Sequence, residues 1–273
     1  MKKQLGGFCI LLILSLTVIS WRPVGANKQV HNTTKPFTVR ELLDKYISTV
    51  YETANLQASG LAFDVFKKAV TGFINLKAAN KLPQSSSILT VVDFTKSSCE
   101  KRMWIVDLLN KELILNTWVA HGQGSGKDMA TSFSDNINSH QSSLGFYLTD
   151  DIYIGKHGRS LHLDGLDTGF NTSARAREIV VHAANYVCQS EINHQGRIGR
   201  SFGCPAVSPK VAGQVIATIK DKTVLFINGN DSRYTSKYLD EDAAANFVSQ
   251  DPVNNNIANA SLETPEDSVH LEK

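Results

Sequence analysis

Cys204 is the residue of this chain best set to act as a nucleophile. It ends a stretch dense in small or flexible positions, Gly196, Gly199, Ser201 and Gly203, interleaved with Arg197, Arg200 and Phe202, and Pro205 follows it. Gly203 removes a side chain beside the sulfur, and Pro205 biases Cys204 away from helical geometry. The pattern predicts a tight turn that presents the thiol and aims the Gly203 and Cys204 N–H groups at one point, as an oxyanion hole. An unassisted thiol has a pKa near ~8.5, so about 3% is thiolate at neutral pH. His182, at the end of the apolar run Ile179-Val180-Val181, is the partner expected to correct that as general base, since a strand ending there delivers its last side chain into a site.

Other residues invite chemical readings. His121 and Ser125 flank Gly122-Gln123-Gly124, a loop without the spacing or Gly-Lys-Ser/Thr ending of a phosphate cradle, and are expected to line a substrate cleft. His162-x-Asp164, with His157, His182 or His194, suggests zinc. Such sites need three or four convergent ligands, so no metal is assigned. Trp104, Trp118 and Tyr186 can contact sugar or peptide, with core or rim positions the plainer expectation for each.

Elements must position these groups. Val39, Leu42, Leu43, Tyr46, Ile47, Val50 and Tyr51 recur three and four apart, an amphipathic helix over Thr38 to Ala54 with Thr38 and Glu41 as a capping box. A second helical pattern runs from about Leu61 to Leu76, and Pro83 to Ser87 follows as a linker. From Ile88 the period shortens. Strands are expected at Ile88 to Phe94, Arg102 to Leu108, Leu113 to Val119, Leu144 to Leu148, Ile152 to Ile154, Ser160 to Leu163, Glu178 to His182 and Thr223 to Ile227. One convincing helix interrupts them, Pro209 to Ile219, with Ser208 as N-cap. The fold class is mainly β (α+β), a sandwich or barrel with peripheral helices, preceded by a helical hairpin.

The 273 residues are 42% hydrophobic and 20% charged, enough to build a core and too apolar for a disordered chain. Lys2 and Lys3, the apolar run Phe8 to Ile19 and the small residues Val24-Gly25-Ala26 have the layout of a secretory signal over 1–26, too short for an ordinary membrane span. The expected organisation continues as a helical region and linker over 27–87, a catalytic body over 88–229, and an acidic, mostly disordered tail over 230–273 with a short helix near Ala243 to Val248. Charge divides accordingly, with 22 basic and 17 acidic residues over 27–229 against 3 and 9 from Asn230 onward. Nothing in that balance points to a nucleic-acid partner. Removing 1–26 takes Cys9 with it and leaves Cys99, Cys188 and Cys204, an odd number. Cys99 and Cys188 can pair if their Cα atoms approach within about 7 Å.

Two segments carry a resemblance. Val180-Val181-His182-Ala183-Ala184-Asn185-Tyr186-Val187, followed by Gly199-Arg200-Ser201-Phe202-Gly203-Cys204-Pro205-Ala206-Val207, resembles the active-site signature of the L,D-transpeptidase catalytic domain in its YkuD-like branch. The stretches 120–126, 142–147 and 160–166 support it, so that it covers about 88–229. The resemblance implies Cys204 as nucleophile, His182 as general base, Ser201 shaping the turn, and Gly203 and Cys204 as oxyanion donors. It implies peptidoglycan stem peptides as substrate, through a thioester, for 3→3 crosslinking or D-amino-acid exchange. L,D-carboxypeptidase activity and a non-catalytic wall-binding domain are the alternatives. It implies carbapenem-type β-lactams as inhibitors, no cofactor, and export to the periplasm or cell envelope of a bacterium. Many members carry arginine two residues after the cysteine, where this chain has Ala206, and glycine where it has Ala183. Arg200 is therefore expected to bind the substrate carboxylate, with His121, Ser125 and Tyr186 as further substrate contacts.

Overall fold

A computed structural model describes residues 37–250, so the expected signal and the tail beyond Gln250 lie outside the described residues. The chain enters through α1 (Val39–Thr53), whose capping box forms as the sequence predicts: the Glu41 N–H donates to Thr38 Oγ1 at 3.2 Å and the Thr38 N–H donates to Glu41 Oε2 at 2.7 Å. Leu43, Ile47 and Val50 make its buried stripe, and α2 (Phe63–Ala78) follows, buried over most of its surface.

The strands are β1 (Ile88–Asp93), β2 (Met103–Asp107), β3 (Glu112–Thr117), β4 (Val119–Ala120), β5 (Gly145–Gly155), β6 (Gly158–Gly165), β7 (Val180–Ala183), β8 (Ala206–Val207) and β9 (Val224–Asn228). They form one mixed sheet in the order β3-β2-β1-β9-β5-β6-β7-β8-β4. Its two outer strands are consecutive in the chain, separated only by Trp118, so the sheet rolls nearly into a barrel with helices at its periphery. The body is thus mainly β with peripheral helices, as read from the sequence.

Period-two alternation builds a core on each side of the sheet. Along β9, Val224 and Phe226 face the helical layer, while Leu225 and Ile227 face the interior with Val92, Leu161, Val181 and the inner side of α4 (Pro209–Ile219). Covering both faces is why β1 and β9 read as continuous apolar runs. Phe146 stacks on Phe226 at 4.4 Å, and Gly72 leaves α2 without a side chain where that ring lies against the helix. Deleting such a ring from a packed core costs about 3–5 kcal/mol.

Four local expectations are revised. Leu144 to Leu148 and Ile152 to Ile154 are one strand, because Asp150 and Asp151 occupy a bulge between Thr149 and Ile152 and do not end the ladder. A short helix, α3 (Gln189–Gln195), lies where none was expected, and Ser208 stands at the α4 N-cap without a side-chain hydrogen bond. The segment after Asn230 is packed up to Gln250. A 3₁₀ turn (Lys237–Leu239) and α5 (Glu241–Gln250) seat Tyr238, Ala244, Ala245 and Val248 in the helical core. The side chain of Asn75 donates to the Tyr238 and Asp240 carbonyls at 2.8 Å each, joining α2 to this segment. The helical layer is therefore a cluster of α1, α2 and α5 and not a two-helix hairpin alone.

Candidate active site

β7 delivers His182 and β8 delivers the turn before it. The two strands pair in parallel, His182 opposite Ala206 and Ala183 opposite Val207, which brings the approach to β8, with Cys204, alongside β7. On its other side β7 pairs with β6, whose hairpin with β5 turns at Lys156 and His157. These elements enclose a cleft of about 470 Å³ lined by Cys204, His182, Tyr186, Arg200, Ser201 and Phe202, together with Gln123, Arg177, Glu178, Val180 and the hairpin residues Tyr153, Lys156 and His157.

The turn is held from within. Ser201 Oγ donates to the Cys204 carbonyl at 2.6 Å and accepts the Gly203 N–H at 3.1 Å. The Gly203 N–H is therefore engaged by Ser201, a departure from its expected role as an oxyanion donor. Gly203 sits at φ 127°, and a side chain there would meet the Gln141 carbonyl and Arg177, so only glycine fits. The Cys204 thiol donates to the Glu178 carbonyl at 3.5 Å, and Glu178 reaches it from a left-handed backbone, φ 53°. Burial pushes the Cys204 thiol up, against the Val180 N–H and the Arg177 charge, which favour the thiolate.

The His182 ring is buried, with Nδ1 2.9 Å from the Ala183 carbonyl. An Nδ1–H donated there leaves Nε2 as the basic nitrogen. Burial holds its pKa below the ordinary value, and the nearby charges of His157 and Lys156 act in the same direction. A neutral thiol and a neutral imidazole lining one cleft suit general-base activation of the sulfur when a carbonyl arrives. Tyr186 forms part of the wall, its hydroxyl pushed up to about 12 by burial and by the neighbouring Cys204.

Of the expected substrate contacts, Tyr186 and Arg200 border the cleft, and His121 and Ser125 do not. Arg200 Nη1 donates to the Gly126 carbonyl at 2.6 Å and the Gln123 carbonyl at 3.3 Å, tying the turn to the glycine-rich loop. That loop bridges in parallel to the turn, Gly122 opposite Ser201, with the Ser201 N–H donating to the His121 carbonyl at 3.0 Å and the Gln123 N–H to the Ser201 carbonyl at 2.8 Å. The pairing directs the His121 and Ser125 side chains inward, where both are fully buried. Arg102 lies 2.7 Å from His121 Nδ1, and burial with that charge lowers the histidine to about 4. Ser125 Oγ accepts the Ser142 N–H at 2.9 Å. Both residues support the loop from behind.

Among the described residues, no three His, Cys, Asp or Glu side chains converge as a metal-binding group. His162 lies against Asp151 and Asp164 against Arg175. Cys99, Cys188 and Cys204 are all free thiols; Cys99 Sγ donates to the Gly196 carbonyl at 3.1 Å and Cys188 Sγ lies 3.0 Å from Ser190 Oγ. Trp104 is core, and Trp118 donates to the Cys99 carbonyl. Lys156, His157, Arg177 and Glu178 are cleft residues that the sequence reading missed. Gly155 and Gly158 around Lys156-His157 are a hairpin signal that marks the first pair, whereas nothing local marks Arg177.

The family model described as L,D-transpeptidase catalytic domain matches residues 57–228, more than half of the chain. No curated protein matches the sequence. Solved structures with similarity include an L,D-transpeptidase from Mycobacterium smegmatis, 12% identical with a TM-score of 0.33 over 52% of this chain and 59% of that one. A Stackebrandtia nassauensis L,D-transpeptidase is 13% identical with a TM-score of 0.33, over 72% and 93% of the two chains. A helical cell shape determining protein of Campylobacter jejuni is 12% identical with a TM-score of 0.38, over 66% and 63%. The chain spans less than two thirds of the first and last of these proteins.

Proposed function

Since the chain belongs to the L,D-transpeptidase catalytic domain family, we propose that it is a cysteine acyltransferase of peptidoglycan stem peptides, with Cys204 as nucleophile and His182 as general base. The Cys204 proton passes to His182 Nε2 as sulfur attacks the carbonyl of the stem's third residue, a diamino acid. The carbonyl carbon–nitrogen bond breaks, the terminal D-amino acid leaves with that proton, and a thioester remains. The amine of a second stem resolves it to a 3→3 crosslink, a free D-amino acid to an exchanged stem, and water to a trimmed one. Thiolate, base and backbone donors suffice for these steps.

The observation that supports this reading best is the parallel pairing of β7 with β8, which brings Cys204 and His182 to one cleft from segments about twenty residues apart. Lys156 and Arg200 around the cleft suit a substrate that bears carboxylates. Export to the periplasm or cell envelope follows from the substrate, and no helix among the described residues is long and apolar enough to cross a membrane. Carbapenems are proposed as acylating inhibitors of Cys204.

The test is incubation with disaccharide tetrapeptide and analysis of products by mass. Crosslinked, exchanged or trimmed stems from wild type, absent with Cys204→Ala, support the assignment and identify the acceptor. Equal turnover by Cys204→Ala overturns it. Intact mass after carbapenem treatment gives an independent reading, one adduct on wild type and none on the variant.

A further inference from the structure

Arg177 stands immediately before Glu178, on the approach to β7, and its side chain is 3% exposed. Burying a guanidinium is costly, and proteins ordinarily offset the cost with a carboxylate in direct contact. Here the nearest carboxylate oxygen, from Asp135, is 3.9 Å away, and both Asp135 oxygens accept the Ser173 N–H, at 3.1 and 2.9 Å. The close partners of Arg177 are uncharged. Nη1 donates to the Ser134 carbonyl at 2.8 Å and Ser143 Oγ at 3.1 Å, and Nη2 to the Gln141 carbonyl at 2.6 Å and Ser139 Oγ at 3.3 Å. A fork of four bonds to neutral oxygens fixes the cation firmly, with Asp135 at 3.9 Å as its one counter-charge within 4 Å among the described residues.

The fork is fixed against the reactive turn. The space beside the Gly203 Cα, where any other residue would carry Cβ, is 3.2 Å from Arg177 Nη2, and Cys204 is the next residue. Ser142, within the loop that Arg177 holds, donates to the Gly203 carbonyl at 3.2 Å. Ala206, two residues after the cysteine, is fully buried and paired with His182.

We infer that Arg177 is a positioning residue that acts through Cys204, its buried charge stabilising the thiolate that forms when the thiol proton moves to His182. The inference rests on Cys204 being the nucleophile. The other charged or titratable groups facing the sulfur are Glu178 beside Arg177, His182 on β7 and Tyr186 after it. Lys156 and His157 face the cleft from the hairpin, and Arg200 from the turn itself. Among these, Arg177 is the buried cation that lowers the thiol's pKa, and Glu178 opposes it.

The deciding measurement is the pH midpoint of iodoacetamide alkylation at Cys204 in the full chain, quantified on the Cys204 peptide by mass spectrometry, with a melting curve for each variant. Arg177→Met is expected to raise the midpoint by about one pH unit, leaving roughly tenfold less thiolate at neutral pH and slowing carbapenem acylation by a similar factor. Arg177→Lys keeps the charge and loses the fork, so its midpoint is expected to stay near wild type even if its melting temperature falls. An unchanged midpoint in Arg177→Met, or a rise in Arg177→Lys as large as in Arg177→Met, would overturn the inference by showing that only the fork matters. Should Arg177→Met fail to fold, Arg177→Lys decides alone, and a rise of about one unit is the overturning result. Failure of the nucleophile reading looks different, as wild type that alkylates at Cys204 but takes no carbapenem there.

Discussion

The imidazole of His157 stacks on that of His182, with ring centroids 4.4 Å apart and planes 29° from parallel. The proposed base on β7 is thus capped by the apex of the β5–β6 hairpin, 25 residues earlier in the chain. A ring in this position restricts rotation of His182 and shields it from water.

His157→Ala is therefore expected to slow carbapenem acylation of Cys204 by about tenfold, within the range of general-base effects, while His157→Phe, which restores a flat ring, recovers most of the rate. Stopped-flow acylation followed by intact mass measures both. Wild-type rates in His157→Ala would show that the hairpin ring has no part in orienting the base.

The pH profile follows from two displaced pKa values. His182 lies below its ordinary 6.5, so the neutral base is present throughout neutral pH and is lost only as pH falls further. Burial holds Cys204 above the ordinary thiol range, so alkylation by a small electrophile is expected to keep climbing into the alkaline range with no plateau near 7. Acylation by a carbapenem, which uses the base, is expected to hold level across neutral pH and to decline below 6.5. A thiolate–imidazolium resting pair predicts the reverse for alkylation, saturation by neutral pH, and that outcome would refute general-base activation. Cys188 must be read separately, since it is only half-buried and its hydrogen bond with Ser190 lowers it.

Ser201 is expected to matter through its hydroxyl. Ser201→Ala strands both the Gly203 N–H and the Cys204 carbonyl in a partly buried turn, at a cost of about 1–3 kcal/mol, and is expected to reduce acylation by about ten- to a hundredfold. Ser201→Thr retains the oxygen and should stay within severalfold of wild type. Equal loss in both variants would point to the volume of the site and away from its hydrogen bonds.

Asp167 governs stability away from the cleft. Its buried carboxylate accepts the Phe146 N–H and the Tyr234 hydroxyl at 2.8 Å each and the Ser236 hydroxyl at 2.5 Å, linking the sheet to the segment after Asn230. Asp167→Ala leaves three donors unanswered and is expected to lower stability by about 3 kcal/mol, read as a shift of the urea midpoint. Asp167→Asn, which keeps acceptor oxygen and shape, should cost less. A shift in Asp167→Ala below roughly 0.5 kcal/mol, the ordinary surface range, would remove the latch.

Much of this was written locally in the chain. Thr38 and Glu41 signal a helix start because a capping box needs no distant partner, and Gly203-Cys204-Pro205 signals a turn because its geometry is intrinsic to those residues. What escaped reading depends on pairing. His121 and Ser125 look like cleft residues in a glycine-rich loop, and a parallel bridge to Ser201 turns them inward. Arg177 resembles any surface arginine in Arg175-Ala176-Arg177-Glu178 until the left-handed Glu178 redirects the chain. The short helix expected near Ala243 to Val248 is present as α5, and what was not legible is its seat in the helical core, since Ala244 and Ala245 contribute by permitting close approach to α1 and α2.

The seat of α5 also bears on the order of folding. Arg40, at the start of α1, meets Asp242, at the start of α5, across 202 residues, and Lys67 of α2 bridges Asp44 and Glu241. Exposed pairs of this kind add little energy, but they mark a closure between the first and last helices of the body. During synthesis, the strands can cover part of the apolar surface of α1 and α2, and the part seated against α5 stays open until residue 250 has emerged. Such non-local closure slows folding and prolongs exposure to aggregation.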